Sequence, residues 1–599
     1  MLLPHSSQKA LTQRSLTCPL SLSKIAKTSV GCGLGLGMWL LQGVTFSGSA
    51  IAQIPTPERP GTSPSLEQPS EAETLPALPT LEDLLGPDFV PAAPSEVPLP
   101  GDGITFTVEQ FMLTGSTVYE DTDFAEIFAQ YTDRQITFEE VLKVRDAITQ
   151  RYRDDNYLTS GAIIPPQSLQ DGVVEIQIVE GRVEDIVIEG NDHLKAEYVR
   201  SRLGLGAQTP LRISDLLEQI QLLQLNPLLE NISADLQAGT VPGTNLLVVT
   251  VNEADSFDVA YQLDNNRSPS VGTLRHRLSV REGNLIGYGD AISANYSHTE
   301  GSDSFDLSYT LPVSPHNTSV TAYYSTTNSD VIEDPFTALD ASSEASVVEL
   351  TVQHPLIETP TTDLVLGLIG SHQRTQTSLG IDNIGGFPLS AGADNQGRTK
   401  VSALRFFQAW SKRSPEQVIA VRSQFNFGLD AFGSTINDDA DVPDSRYFSW
   451  LGQGQWVRLL APDTPLIVRG SLQLTPDSLL SLERYGLGGQ STVRGYRQDV
   501  LLTDNGAALS VEARIPLWQD SDRNLSLQLT PFIDSGVGWN NQGANPERNS
   551  LLGVGTGLRL QYGDASLRFD WGVPLIKQSD TDKTLQEQGL YFTLNVPFF

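Results

Sequence analysis

A chain of 599 residues is too long for one ordinary domain, and a formal net charge of −33 excludes nucleic acid as a partner by repulsion. Only 39% of the residues are hydrophobic, which argues against numerous helical membrane spans and suits a barrel, where half of each strand faces water. Cys18 and Cys32 are the only cysteines, so a mature chain that loses its N-terminus has no thiol catalysis, disulfide or cysteine metal site.

Residues 1–52 read as a secretory signal. Lys9, Arg14, Lys24 and Lys27 occur without any acid, the apolar run spans about Val30 to Phe46, and Ala50-Ile51-Ala52 offers small residues for cleavage before Gln53. Cleavage there takes the balance from −33 to −37. Residues 53–100 are dominated by Pro, Glu, Ser and Thr and read as an extended linker.

From Ile104 the pattern becomes α/β. Ile104, Phe106 and Val108 alternate as in a strand, and Val118 to Tyr131 reads as a helix with Phe124, Ile127, Phe128 and Tyr131 on one face. A second helix starts at Thr137, where Glu140 completes a capping box. Its apolar face runs through Phe138, Val141, Val144, Ile148 and Tyr152. Strands follow at Tyr157 to Ile164 and Val173 to Val179, separated by Pro165-Pro166 and the Asp171-Gly172 turn. The same order then repeats: a strand from Val183 to Glu189, helices from Leu194 to Leu203 and Ser214 to Leu225, and strands from Ile232 to Leu236 and Leu246 to Val251. In the first of these strands Ile186 and Ile188 share a face, with Val183 and Val187 toward the other. Residues 104–181 and 182–254 are therefore two tandem units.

After about Ser256 the helix period gives way to alternation. Phe257, Val259, Tyr261 and Leu263 oppose Asp258, Gln262 and Asp264. Leu509, Val511, Ala513 and Ile515 oppose Ser510, Glu512 and Arg514. Trp410, Trp450, Trp456, Trp518 and Trp571 fall near segment ends, as an interfacial girdle requires. Residues 255–599, at about 40 per hairpin, make roughly sixteen strands of a transmembrane barrel. The chain closes on an aromatic-rich strand ending in Phe598 and Phe599.

Within the barrel region, Tyr485 to Asp499 is too rich in glycine for a helix and too long for a tight turn. Its Val493-Arg494-Gly495-Tyr496 resembles the signature of the sixth outside loop in two-partner secretion transporters, the haemolysin secretion/activation proteins of the POTRA-barrel superfamily. Phe532-Ile533-Asp534-Ser535-Gly536 resembles the same family's F-x-D-x-G motif on the inner wall. Ile164 to Gly172 with Val179-Glu180-Gly181 resembles its POTRA domain, and Asn284 to Asp290 resembles a further family segment at an early turn. The resemblance implies two α/β POTRA domains followed by an antiparallel barrel of about sixteen strands. It also implies an outer-membrane transporter, not an enzyme and without cofactor or metal, that exports a large β-helical partner without nucleotide.

In such a protein Arg494 reaches into the lumen and latches onto Asp534. In a wet pore, breaking that pair costs about 1–2 kcal/mol. The exported chain is expected to add along a strand edge or groove of the POTRA units at Val173–Val179 and Leu246–Val251. Phe598 and Phe599 would be read by the barrel-assembly machinery, and Leu81 to Gly86 would be a fragment of a plug helix. Two rival readings are a barrel-assembly factor, which usually carries more POTRA units, and a passive porin, which leaves the tandem repeat unexplained.

Overall fold

The computed structural model describes residues 105–168, 172–334, 336–439, 441–578 and 584–598. The signal segment, the linker, the Leu81–Gly86 fragment, Ile104, Asp171 and Phe599 lie outside the described residues.

The first α/β unit contains β1 (Thr105–Val108), β2 (Gln110–Thr114), α1 (Ala125–Phe128), β3 (Arg134–Thr137), α2 (Phe138–Asp154), β4 (Gly161–Ile163) and β5 (Val173–Val179). The capping box forms: Glu140 N–H donates to Thr137 Oγ1 at 3.3 Å, and Thr137 N–H donates to Glu140 Oε2 at 2.9 Å. Val141, Val144, Ile148 and Tyr152 are buried beneath it, whereas Phe138 in the first turn is exposed. The expected helix from Val118 is shorter than its pattern. Tyr119 N–H bonds to Ser116 Oγ and Leu113 N–H to Asp121 Oδ1, and these side chains hold the start in a turn that competes with helix.

The second unit contains β6 (Arg182–Glu189), α3 (Ala196–Gly206), α4 (Ile213–Gln224), β7 (Leu229–Ala238) and β8 (Thr244–Glu253). A register shift between Val183 and Asp185 turns Val183 onto the core beside Ile186 and Ile188, correcting the facing expected from strict alternation.

The sheet orders are β2-β5-β4 and β6-β8-β7. Val173 and Val179 lie on a central strand, paired with β2 over Val173–Gln177 and with β4 over Gln177–Val179, and Leu246 and Val251 lie on central β8, where Val251 is fully buried, so of the two expected modes of docking a groove suits these positions better than an open edge. The two parallel pairings join strands far apart in sequence, which local pattern does not reveal. The free edges belong to β2, β4, β6 and β7.

The remaining strands close a barrel of sixteen staves: β9 (Phe257–Asp264), β10 (Arg275–Glu282), β11 (Ala291–Thr299), β12 (Ser302–Pro312), β13 (Ser319–Asp330), β14 (Ala341–Glu358), β15 (Thr362–Leu379), β16 (Arg398–Arg413), β17 (Gln417–Leu429), β18 (Phe448–Ala461), β19 (Thr464–Leu474), β20 (Asn505–Ala513, continued by Ile515–Asp520), β21 (Leu525–Leu529, continued by Phe532–Trp539), β22 (Ser550–Tyr562), β23 (Ala565–Pro574) and β24 (Leu590–Pro597). β24 pairs with β9, so no open edge remains. Leu509, Ile515 and Trp518 are exposed on the outside, while Glu512 and Arg514 are buried within. Trp410 and Trp456 sit toward the end that carries the α/β units, and Trp450 and Trp571 toward the far end. Phe592 and Leu594 share the outward register of Phe569 and Leu567, and Phe598 is exposed.

The second α/β unit seats on the near turns of the barrel. Lys195 N–H donates to Gly287 O at 2.8 Å, so the Asn284–Asp290 turn is a joint as well as a connection. Gly289 has φ +72°, and a Cβ there would lie 2.5 Å from the Tyr198 ring; only glycine fits.

Candidate functional site

Between β19 and β20 the chain does not stay at the far mouth. A short ladder pairs Tyr485–Leu487 with Leu501–Thr503, and the tip between them descends into the lumen. It brings its own apolar core: Leu487, Val493, Tyr496 and Leu501 bury against Leu451 and Leu551 of the wall. Burying these side chains is what draws a polar, glycine-rich loop inward.

At the tip, Arg494 Nε donates to Asp534 Oδ2 at 2.7 Å and Nη2 to Oδ1 at 3.0 Å, a two-pronged pair. The Arg494 backbone N–H adds a third bond to Asp534 at 3.1 Å. Nη1 donates to Glu512 Oε2 at 2.7 Å and lies 3.6 Å from Asp570. The guanidinium carbon stands 3.4 Å from the centre of the Phe532 ring. Arg568 bridges Glu512 at 2.7 Å and Asp570 at 2.6 Å, and Arg514 reaches Glu512 at 3.3 Å. Three guanidinium groups thus face three carboxylates with no net charge.

Gly495 has φ +101°, and a Cβ there would press on the β23 backbone at Val573 and Pro574. Its N–H donates to Tyr591 Oη at 2.9 Å, and that hydroxyl donates to Tyr496 O. Tyr496 Oη bonds Leu552 O and Ile576 O at 2.9 and 2.8 Å. Gly536 lies beneath Leu487 and Val493.

All seven motif residues, Val493, Arg494, Gly495, Tyr496, Phe532, Asp534 and Gly536, therefore meet at one place. The four POTRA positions proposed for substrate do not belong to it. The expectation of a solvent-screened latch is corrected: Arg494 is 2% exposed and Asp534 1%, packed between the loop's apolar cluster and the wall, although Arg494 also borders the polar lumen cavity.

Sequence reasoning missed Glu512, Asp570 and Arg568. It also missed a second anchor on the same loop. Glu483 receives Arg405 Nη2 at 3.0 Å and Nη1 at 3.2 Å, with both residues buried. Here the polarity is reversed, with the carboxylate on the loop and the guanidinium on wall strand β16. Arg497 completes a third link, two-pronged at 2.8 Å to Glu333 in the connection from β13 to β14. Beside the loop a polar cavity of about 1090 Å³ remains, lined in part by Arg277, Asp306, Glu349, Arg469 and Arg568.

The sequence model for the haemolysin secretion/activation protein family ShlB/FhaC/HecB matches residues 243–560, and that for the ShlB-type POTRA domain matches residues 106–181. Among curated proteins, the outer membrane transporter CdiB of Escherichia coli is 22% identical over 79% of this chain and 80% of its own length. The heme/hemopexin transporter protein HuxB of Haemophilus influenzae is 23% identical over 74% of this chain and 78% of its own. The solved structure of CdiB from Escherichia coli superimposes with a TM-score of 0.64 at 21% identity, covering 88% of this chain and 95% of that one.

Proposed function

Because the chain belongs to the ShlB/FhaC/HecB family of outer-membrane transporters, with its POTRA units on the periplasmic side, we propose that it exports one large secreted partner protein from periplasm to cell surface. The observation that carries this reading is the loop tip held inside a closed barrel by Arg494 and Asp534. A barrel that only sheltered a passive pore has no use for a removable plug fastened at both ends of its stem. An unfolded chain enters when the fastenings release, and its folding outside supplies the free energy without nucleotide. We place the first contact on β7 of the second POTRA unit, the longest free edge at ten residues, where backbone N–H and C=O groups accept an extended strand. In this reading Phe598 and Phe599 address the barrel itself to the assembly machinery.

The test uses photocrosslinkers at Asn231 on β7 and Ser510 in the lumen during export of a large secreted protein encoded beside this one. Both positions should capture it, Asn231 before Ser510. Secretion that proceeds while Ser510 captures nothing would show that the partner does not pass through this barrel.

A further inference from the structure

The outer wall carries a feature unrelated to the lumen. Arg374 on β15 and Lys400 on β16 are direct cross-strand partners, and both occupy the outward-facing register shared with Leu368 and Leu404. Like charges placed opposite each other destabilise a sheet. This pairing stands out in a chain with 72 acidic and only 39 basic residues. Among the described residues neither cation has a carboxylate within ion-pair distance. One row farther out, Arg398 is neutralised by Asp394 at 2.8 Å, and Glu344 on β14 faces Gln376 instead.

The height of the pair on the barrel is informative. Ten residues separate Leu364 from Arg374, roughly 33 Å along a strand. At a tilt of about 40° they climb about 25 Å, the height of the apolar band of such barrels. Leu368, Val348, Leu350 and Leu404 fall within that band and are exposed on the outer wall. The two cations thus stand just above it, at the level of the outer-leaflet headgroups. Beside them His372 bonds Ser402 at 2.9 Å, and its ring lies 6.3 Å from that of Phe432, which is 84% exposed.

We propose that Arg374 and Lys400 bind a phosphorylated headgroup of an outer-leaflet glycolipid, with Phe432 and the Leu404 row against its acyl chains. The Arg374 fork takes two phosphate oxygens and the Lys400 ammonium a third. The lipid relieves the repulsion between the strands and covers the exposed phenylalanine.

Native mass spectrometry of the full chain in phosphatidylcholine nanodiscs containing bisphosphorylated lipid A tests this. Wild type should retain lipid A. The pair Arg374→Gln with Lys400→Gln should weaken retention roughly tenfold or more, since each cation near a membrane surface contributes about a fivefold factor. Lys412→Gln, an outward cation at the opposite end of β16, should change nothing, and Arg374→Lys with Lys400→Arg should restore retention. Heat-modifiable migration on gels, unchanged in every variant, shows the barrel intact. Equal retention by the double glutamine variant, equal retention of dephosphorylated lipid A, or displacement of the lipid by millimolar inorganic phosphate would each overturn the proposal; the last would identify free phosphate as the ligand.

Discussion

Arg494 is held by carboxylates from three different wall strands and by the face of Phe532. Because the pair is buried, removing one partner strands a charge, a loss of roughly 3–5 kcal/mol. Arg494→Ala leaves two guanidinium groups against three carboxylates. Arg494→Ala combined with Asp534→Ala restores the balance, so the double variant should lose clearly less than the sum of the singles. Hydrogen exchange across residues 488–500, with secretion alongside, measures that coupling. Additive effects within error would mean that the two residues do not act as one latch. Glu483→Gln makes a separable prediction. It leaves the Arg405 fork facing an amide in a buried site, and should loosen residues 475–487 while those around Arg494 stay protected. Equal loosening of both stretches would mean that the loop has a single anchor and not two.

The loop as an element decides the state of the pore. Deleting Gly488 to Gln498 removes Val493, Arg494 and Tyr496 from the lumen but spares the strands, whose ladder bonds do not pass through the tip. Single-channel conductance in planar bilayers should rise well above that of wild type, and an unchanged value would contradict a loop resident in the lumen. Much of this element was legible beforehand. Its glycines, Arg494 near its centre and the F-x-D-x-G strand point to the latch through their resemblance to the family's motifs, and all of them are read within short local stretches. Glu512, Asp570 and Arg568 were not legible, since one inward carboxylate or arginine on an alternating strand looks like any other until register brings it to the tip. The burial of the pair escaped for a related reason: it depends on Leu451 and Leu551 of the wall meeting Leu487 of the loop, contacts between distant segments. Long-range parallel pairing likewise concealed that β5 and β8 are central strands. By contrast, the α2 capping box and the β5 boundaries are local chemistry, and both appear where the sequence put them.

At the scale of the whole molecule, the question is how the periplasmic units communicate with the barrel. The second unit rests on two near turns, the second of them tied on to the end of β14. Besides Lys195 on the Asn284–Asp290 turn, Arg202 of α3 reaches the turn between β12 and β13, where two of its nitrogens donate to Asn317 Oδ1 at 3.1 and 2.7 Å. Asn317 Nδ2 in turn donates to Glu358 Oε1 at 2.7 Å at the end of β14. The guanidinium lies 3.5 Å from the centre of the Tyr198 ring, and burial pulls its pKa below the usual arginine range. A buried guanidinium aimed at an amide oxygen, with its nearest carboxylate one residue farther on, is a joint that holds firmly only while the geometry is kept. Arg202→Ala should cost about 1–3 kcal/mol of docking, with no loss of barrel closure, because none of the ladder bonds involves Arg202. Arg202→Lys keeps the charge but not the fork, so it should recover only part of the loss. Hydrogen exchange should then quicken at residues 284–290 and 313–318 in the alanine variant, with heat-modifiable migration unchanged. If export depends on a fixed approach from β7 to the lumen, secretion falls in the same order: wild type, lysine, alanine. Faster exchange with undiminished secretion would show that the two units need no rigid joint to hand over the exported chain.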